Sequence, residues 1–203
     1  SPRVLKIPSQ LASVWSPRRA ARDSDMGIGE ATPSLSMPQI SIDELHLLRG
    51  LLAFPNESSL ELALDLAEVW SWLQDTRDDL EAAGLEPWRE EYRRLFFGGD
   101  EPAVCSHNAS AYQGIPRDAP WHVARLYARA GLPLCNVPPD YIGSELNLLA
   151  ELLESEHDLG SGLVHEAWSH MAAWIPQFAR CLGTNTRLGL YRGIAARLQD
   201  LFG

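Results

Sequence analysis

The residues best placed to do chemistry stand together at one loop-to-helix junction, Pro138-Pro139-Asp140-Tyr141-Ile142-Gly143-Ser144-Glu145. Carboxylates from Asp140 and Glu145 flank the aromatic Tyr141. Tyr141 and Glu145 are four apart and share a face of any helix that starts here. Such a set can pair a guanidinium bidentately and lay a ring against an apolar chain. The same residues also suit plain helix architecture. Asp140 stands where an N-cap belongs, its side-chain oxygen able to accept an exposed backbone N–H. Glu145 could equally sit on a solvated helix face. At this stage the junction is either a capped helix start or a recognition site.

Other reactive side chains form no recognisable motif. His165 and His170 are five apart, about 140° around a helix, and cannot share a metal from one face. His46, His107, His122 and His157 have no ligand spacing. Cys105, Cys135 and Cys181 are widely spaced with no C-x-x-C, which predicts reduced thiols in a cytosolic protein. No phosphate loop, dinucleotide fingerprint or G-x-S-x-G motif is present. Gly98-Gly99 reads as a helix end, with phosphate contact as the alternative. The Gly-, Pro-, Ser- and Asn-rich segment 98–119 is long for an idle connection and is the one place where a nucleotide-binding or hydrolysing helical enzyme could have its site. The sequence implies no cofactor and no catalytic residue.

Composition narrows the partners. The 203 residues carry a formal charge of −10, which argues against nucleic acid, whose phosphates require a basic patch. The charge is uneven: residues 1–37 sum to +2, leaving −12 on 38–203. An acidic body favours basic partners through complementary potential. No run reaches the roughly 18 apolar residues of a membrane span, and no secretory h-region stands near the N-terminus.

The elements that must position the junction are helices. Ser41-Ile42-Asp43-Glu44 has the form of a capping box opening a helix with Leu45, Leu48 and Leu52 inward. A second helix begins at Ser58-Ser59 and carries Leu62, Leu66, Val69, Trp70 and Leu73. A third, 75–83, ends at Gly84. The next has Pro87 in its first turn and Trp88, Tyr92, Leu95 and Phe96 on one side. A helix from about Pro120 to Ala130 precedes the junction. The junction helix itself runs to about Glu154, with Ile142, Leu146, Leu149 and Leu153 on one face. A polar turn at 156–162, a helix at 164–179 with Pro176 as a kink, and a final helix at 186–202 complete the chain. Trp70, Trp72, Trp168 and Trp174 are expected in the core. This predicts an all-α helical bundle of about seven to eight helices over 38–203. Residues 1–37 read as a flexible extension, or as translated sequence upstream of a start at Met26 or Met37. Ser16-Pro17-Arg18-Arg19-Ala20 there is loosely similar to a twin-arginine export motif, but polar residues follow it.

Glu91-Tyr92-Arg93-Arg94-Leu95-Phe96-Phe97-Gly98, followed after a loop by Pro139-Asp140-Tyr141-Ile142-Gly143-Ser144-Glu145-Leu146, resembles the TorD/DmsD-type redox-enzyme maturation chaperones. In that family an aromatic helix ending in Leu-Phe-x-Gly precedes a Glu-Pro-x-Asp-His motif and a Gly-x-x-Leu helix. Here Val137 stands beside the prolines where the pattern has its glutamate, and Tyr141 replaces the histidine. The resemblance implies a non-enzymatic cytoplasmic chaperone, a monomer or a helix-exchanged dimer. Such a chaperone binds the twin-arginine leader or the apoprotein of a DMSO-reductase-type molybdenum enzyme until its cofactor is inserted. It implies peptide-binding roles for Tyr92, Leu95, Phe96, Tyr112, Pro139, Asp140, Tyr141 and Glu145.

Overall fold

The structure is a computed structural model that describes residues 40–98, 102–134, 136–155 and 161–203. The expected extension at 1–37, Gly99, Cys135 and most of the expected polar turn at 156–162 lie outside the described residues. Among the described residues there are eight helices: α1 (Ile42–Leu51), α2 (Glu57–Leu66), α3 (Ser71–Ala83), α4 (Leu85–Phe96), α5 (Ala119–Arg129), α6 (Ile142–Glu154), α7 (Ser161–Asn185) and α8 (Gly189–Phe202). The all-α expectation holds, and the extended pairing described is one isolated bridge, Asn108 to Tyr141.

The junction helix, α6, is the centre of the bundle. Ile142, Leu146, Leu148, Leu149, Ala150 and Leu152 are all buried, so apolar side chains surround most of it rather than forming one stripe. Such a helix needs cover on more than one side. It receives α1 on one flank and α7 on another, while α8 runs along α7 and against α3. Trp88 and Trp174 are fully buried. The indole N–H of Trp88 donates to the Tyr191 hydroxyl at 2.9 Å, which removes the cost of burying that polar edge. Trp70, Trp72 and Trp168 pack only partly against the core. Val69 is exposed rather than inward.

Several helix ends differ from the sequence expectation, each because a partner distant in sequence takes the polar group. Ser41 makes no side-chain cap on α1; instead Glu44 is buried and accepts both arms of Arg197, at 2.6 and 2.8 Å. The capping box that does form opens α2 two residues earlier than predicted, with Asn56 and Ser59 exchanging hydrogen bonds at 3.0 and 3.2 Å. The last helix starts at Gly189 rather than Thr186 because buried Glu91 captures the preceding turn. Its carboxylate accepts the Arg187 N–H at 2.6 Å and the Thr186 hydroxyl at 3.2 Å, as well as a two-armed bond from Arg94. Burial alone would push the Glu91 carboxyl up, but these donors outweigh it and hold it below the usual carboxylate range. Helix α7 passes through Pro176 without ending and continues to Asn185.

Candidate functional site

The end of α4 and the start of α6 meet at one surface. Helix α4 stops at Phe97 because Gly98 takes the left-handed conformation (φ 72°), which a side chain would oppose. This turns the chain so that Phe97 stands 62% exposed beside buried Tyr92 and Phe96. Tyr92 is in ring contact with Phe96 (4.8 Å), Phe54 (5.4 Å) and Phe97 (5.8 Å). His107, from the 102–119 segment, closes the group against Phe96 at 5.6 Å and Tyr141 at 4.9 Å. Phe54 is 42% exposed and carries the Arg93 guanidinium over its ring at 5.3 Å. The result is an aromatic patch with two exposed rings on a buried aromatic floor, contributed by four segments.

Tyr141 occupies this patch because of its neighbour Gly143. A Cβ at position 143 would collide with the Tyr141 ring, so only glycine lets the ring fold back across the first turn of α6. The Tyr141 hydroxyl then reaches the Leu52 carbonyl at 3.2 Å, linking α6 to the end of α1. Burial pushes the Tyr92 and Tyr141 hydroxyls above their ordinary range. The same effect pulls the His107 imidazole down, against the opposing charge of Asp140. At neutral pH the floor of the patch is therefore uncharged.

Of the predicted site residues, the patch unites Tyr92, Phe96 and Tyr141. Leu95 lies fully in the core, and its carbonyl accepts the Cys105 N–H at 2.8 Å. Tyr112 lies away from the patch, against Trp174 and Phe178, with its hydroxyl on the Ser106 carbonyl. Pro139 is half-buried in the turn, where the neighbouring Pro138 carbonyl accepts from Tyr141 N–H and the Ser144 hydroxyl at 3.1 Å each.

The two carboxylates behave differently from expectation. Asp140 is not the N-cap of α6; that position is Tyr141, which makes no side-chain cap. Asp140 is 2% exposed. It accepts the Ser110 N–H on its carboxylate at 3.1 Å and the Ala109 N–H on its backbone carbonyl at 2.9 Å. It thus ties the 102–119 segment to the junction. Glu145 is 1% exposed, on neither a rim nor a solvated face. It meets the His170 ring at 3.2 Å and accepts the Trp174 indole N–H at 3.0 Å. Burial pushes its carboxyl up, and His170 and Trp174 pull against that shift. Burial also pulls His170 down, but its bond to Glu145 and that group's charge hold it above its ordinary value.

The thiol expectation is corrected. Cys105 and Cys181 form a disulfide across 76 residues. No sequence spacing announces it. Packing of the 102–119 segment on α7 brings the two Cα atoms to 5.9 Å, within bridging range. That segment is also not an open loop. Cys105 and Ala109 are buried, residues 109–111 form a short 3₁₀ turn, and the Ile142 N–H donates to the His107 carbonyl at 2.9 Å. Phe54 and His107 carry no sequence signal, each a lone ring without spacing to the others, and Phe97 was passed over although it follows Phe96 in the aromatic-helix motif. Among the described residues no group of three or more His, Cys, Asp or Glu could hold a metal ion. No helix among them is long and apolar enough to cross a membrane.

The nitrate reductase delta subunit family matches residues 59–180, a span that contains α4, the 102–119 segment and α6. A candidate redox enzyme maturation protein from Archaeoglobus fulgidus has a similar fold, with a TM-score of 0.60 and 23% identity, covering 83% of this chain and 98% of that one. No curated protein matches significantly. The matched span includes the end of α4, His107 and the start of α6, and the fold agrees: the chain belongs to the nitrate reductase delta subunit family, the TorD-like chaperones of redox-enzyme maturation.

Proposed function

We propose that this chaperone binds the twin-arginine leader of a DMSO-reductase-type molybdenum enzyme in the cytoplasm and holds the apoprotein until its cofactor is inserted. The observation that carries this proposal is the aromatic patch. Two exposed rings, Phe54 and Phe97, sit on the uncharged floor of Tyr92, Phe96, His107 and Tyr141. A patch of this kind suits the apolar stretch of a leader, whose burial supplies affinity without chemistry. Arg93 at its edge disfavours seating the leader's arginines on the patch itself. Asp140 and Glu145 are buried and partnered, so they support the junction from within. The leader's basic end is drawn instead by the field of the body, which carries −12 over residues 38–203.

The test is calorimetric titration of the folded protein with a twin-arginine leader peptide from such an enzyme. Binding that weakens with added salt, and more steeply when the apolar stretch is replaced by serines, is the expected result. Absence of heat at high micromolar peptide, with the far-UV spectrum intact, refutes the proposal.

A further inference from the structure

The Cys105–Cys181 disulfide joins the 102–119 segment, which forms one wall of the aromatic patch, to the long helix α7. The segment has two kinds of anchor. One is noncovalent: Cys105 N–H to Leu95 O, Ala109 N–H to Asp140 O, Ser110 N–H to the Asp140 carboxylate, and Ile142 N–H to His107 O. The other is the disulfide, the one covalent tie between the segment and a distant element. Between the two lies His107, whose ring touches Phe96, Phe97 and Tyr141. The two residues differ in exposure: Cys105 is 1% exposed, whereas Cys181 on α7 is half-buried.

We propose that residues 104–112 are a redox-latched strap. In the oxidised state the strap holds His107 against the patch; in the reduced state it is released to open locally. As a regulator of the patch, the latch rests on the leader-binding proposal above. The exchange is with a dithiol reductant. A thiolate of the reductant attacks the sulfur of the less buried residue, Cys181. The protein S–S bond breaks, and Cys105 leaves as a thiolate that takes up a proton. The reductant's second thiolate then attacks its own sulfur in the mixed disulfide, and Cys181 leaves and is protonated in turn. The reductant ends as a disulfide, having given two electrons to the protein. Without the covalent tie the noncovalent anchors alone hold the strap, and they break and re-form locally while the helices stay folded. A preformed patch binds more tightly than one that must be ordered during binding, which makes the oxidised state the high-affinity one.

The test uses the full chain with Cys135→Ser, to prevent exchange with the third cysteine. Hydrogen exchange of peptides covering 104–112 is measured with and without a dithiol, alongside leader titration. At labelling times too short for α6 and α8 to exchange through global unfolding, exchange there is expected to accelerate at least about tenfold on reduction. Leader affinity is expected to fall several-fold. The added exchange variant Cys181→Ser, at the less buried position, should match the reduced protein and ignore the dithiol. Strap exchange that is the same in both redox states overturns the latch, as does alkylation of both Cys105 and Cys181 in untreated protein. If no leader binds in either state, the leader-binding proposal fails, and the exchange data still decide the latch. If leader binds equally in both states while exchange differs, the regulatory part is overturned.

Discussion

Phe97→Ser separates binding from stability most cleanly. Phe97 is 62% exposed, so a bound apolar chain has most of the ring still to cover. Taking a phenylalanine as roughly 200 Å², covering the remainder removes about 120 Å² from water, a ceiling of about 3 kcal/mol, or roughly a hundredfold in affinity. Ordering costs on binding reduce the realised figure to roughly tenfold or somewhat more. The portion already buried, against Tyr92 and His107, limits the stability loss to about 2 kcal/mol, a drop of roughly 4–8 °C in Tm for a chain of this size. Phe96→Ser is the matched control. Phe96 is 5% exposed and touches Tyr92, Phe178 and Tyr191, so its loss costs about 3–5 kcal/mol of folding. Calorimetry with a leader peptide and thermal melts on both variants are the assays. If Phe97→Ser stays folded and binds leader as well as the parent, the patch is not the binding surface.

The buried polar groups give further expectations. Glu145→Ala strands the Trp174 N–H and His170 in the interior and costs on the order of 1–3 kcal/mol per stranded group, whereas Glu145→Gln keeps an acceptor for Trp174 and costs less; chemical denaturation orders the two. Arg197→Met leaves Glu44 buried without its partner and should cost about 3–5 kcal/mol. Arg77→Met, which removes the exposed pair with Glu68, should cost under about 1 kcal/mol; equal costs would contradict the burial argument. Reducing the disulfide, whose partners are 76 residues apart, should lower stability by about 4 kcal/mol, read as a denaturant midpoint with and without dithiol.

The histidines predict opposite pH slopes. His170 is held above its ordinary 6.5, so its contribution is fully present below that pH and is lost as pH rises through its folded value. His107, pulled below 6.5 by burial, contributes above that pH and its contribution is lost as pH falls through its folded value. Melting temperature against pH should therefore flatten on the higher-pH side in His170→Gln and on the acid side in His107→Gln. The same slope in both variants would refute these assignments.

The all-α class, the inward faces of α1, α6 and α8 and the end of α4 at Gly98 were legible in the sequence. Each is encoded within a turn or two of chain: leucines at helical spacing, glycine and proline at the ends. Where polar side chains go was not legible in the same way. Ser41 and Glu44 have the spacing of a capping box, yet Glu44 pairs with Arg197, 153 residues away. Asp140 stands at a helix start, yet it serves Ser110. A buried carboxylate takes the strongest donor that packing brings within reach, and local spacing holds no record of that donor. The TorD-like motif marks two helix ends that do pack together, and Tyr92, Phe96 and Tyr141 from it stand in the aromatic patch. Phe54, Phe97 and His107, and the sulfur bond that anchors the His107 segment, join them only when α1, α4 and α6 pack. A lone aromatic or a lone cysteine carries no period, so its partner is decided by tertiary structure alone.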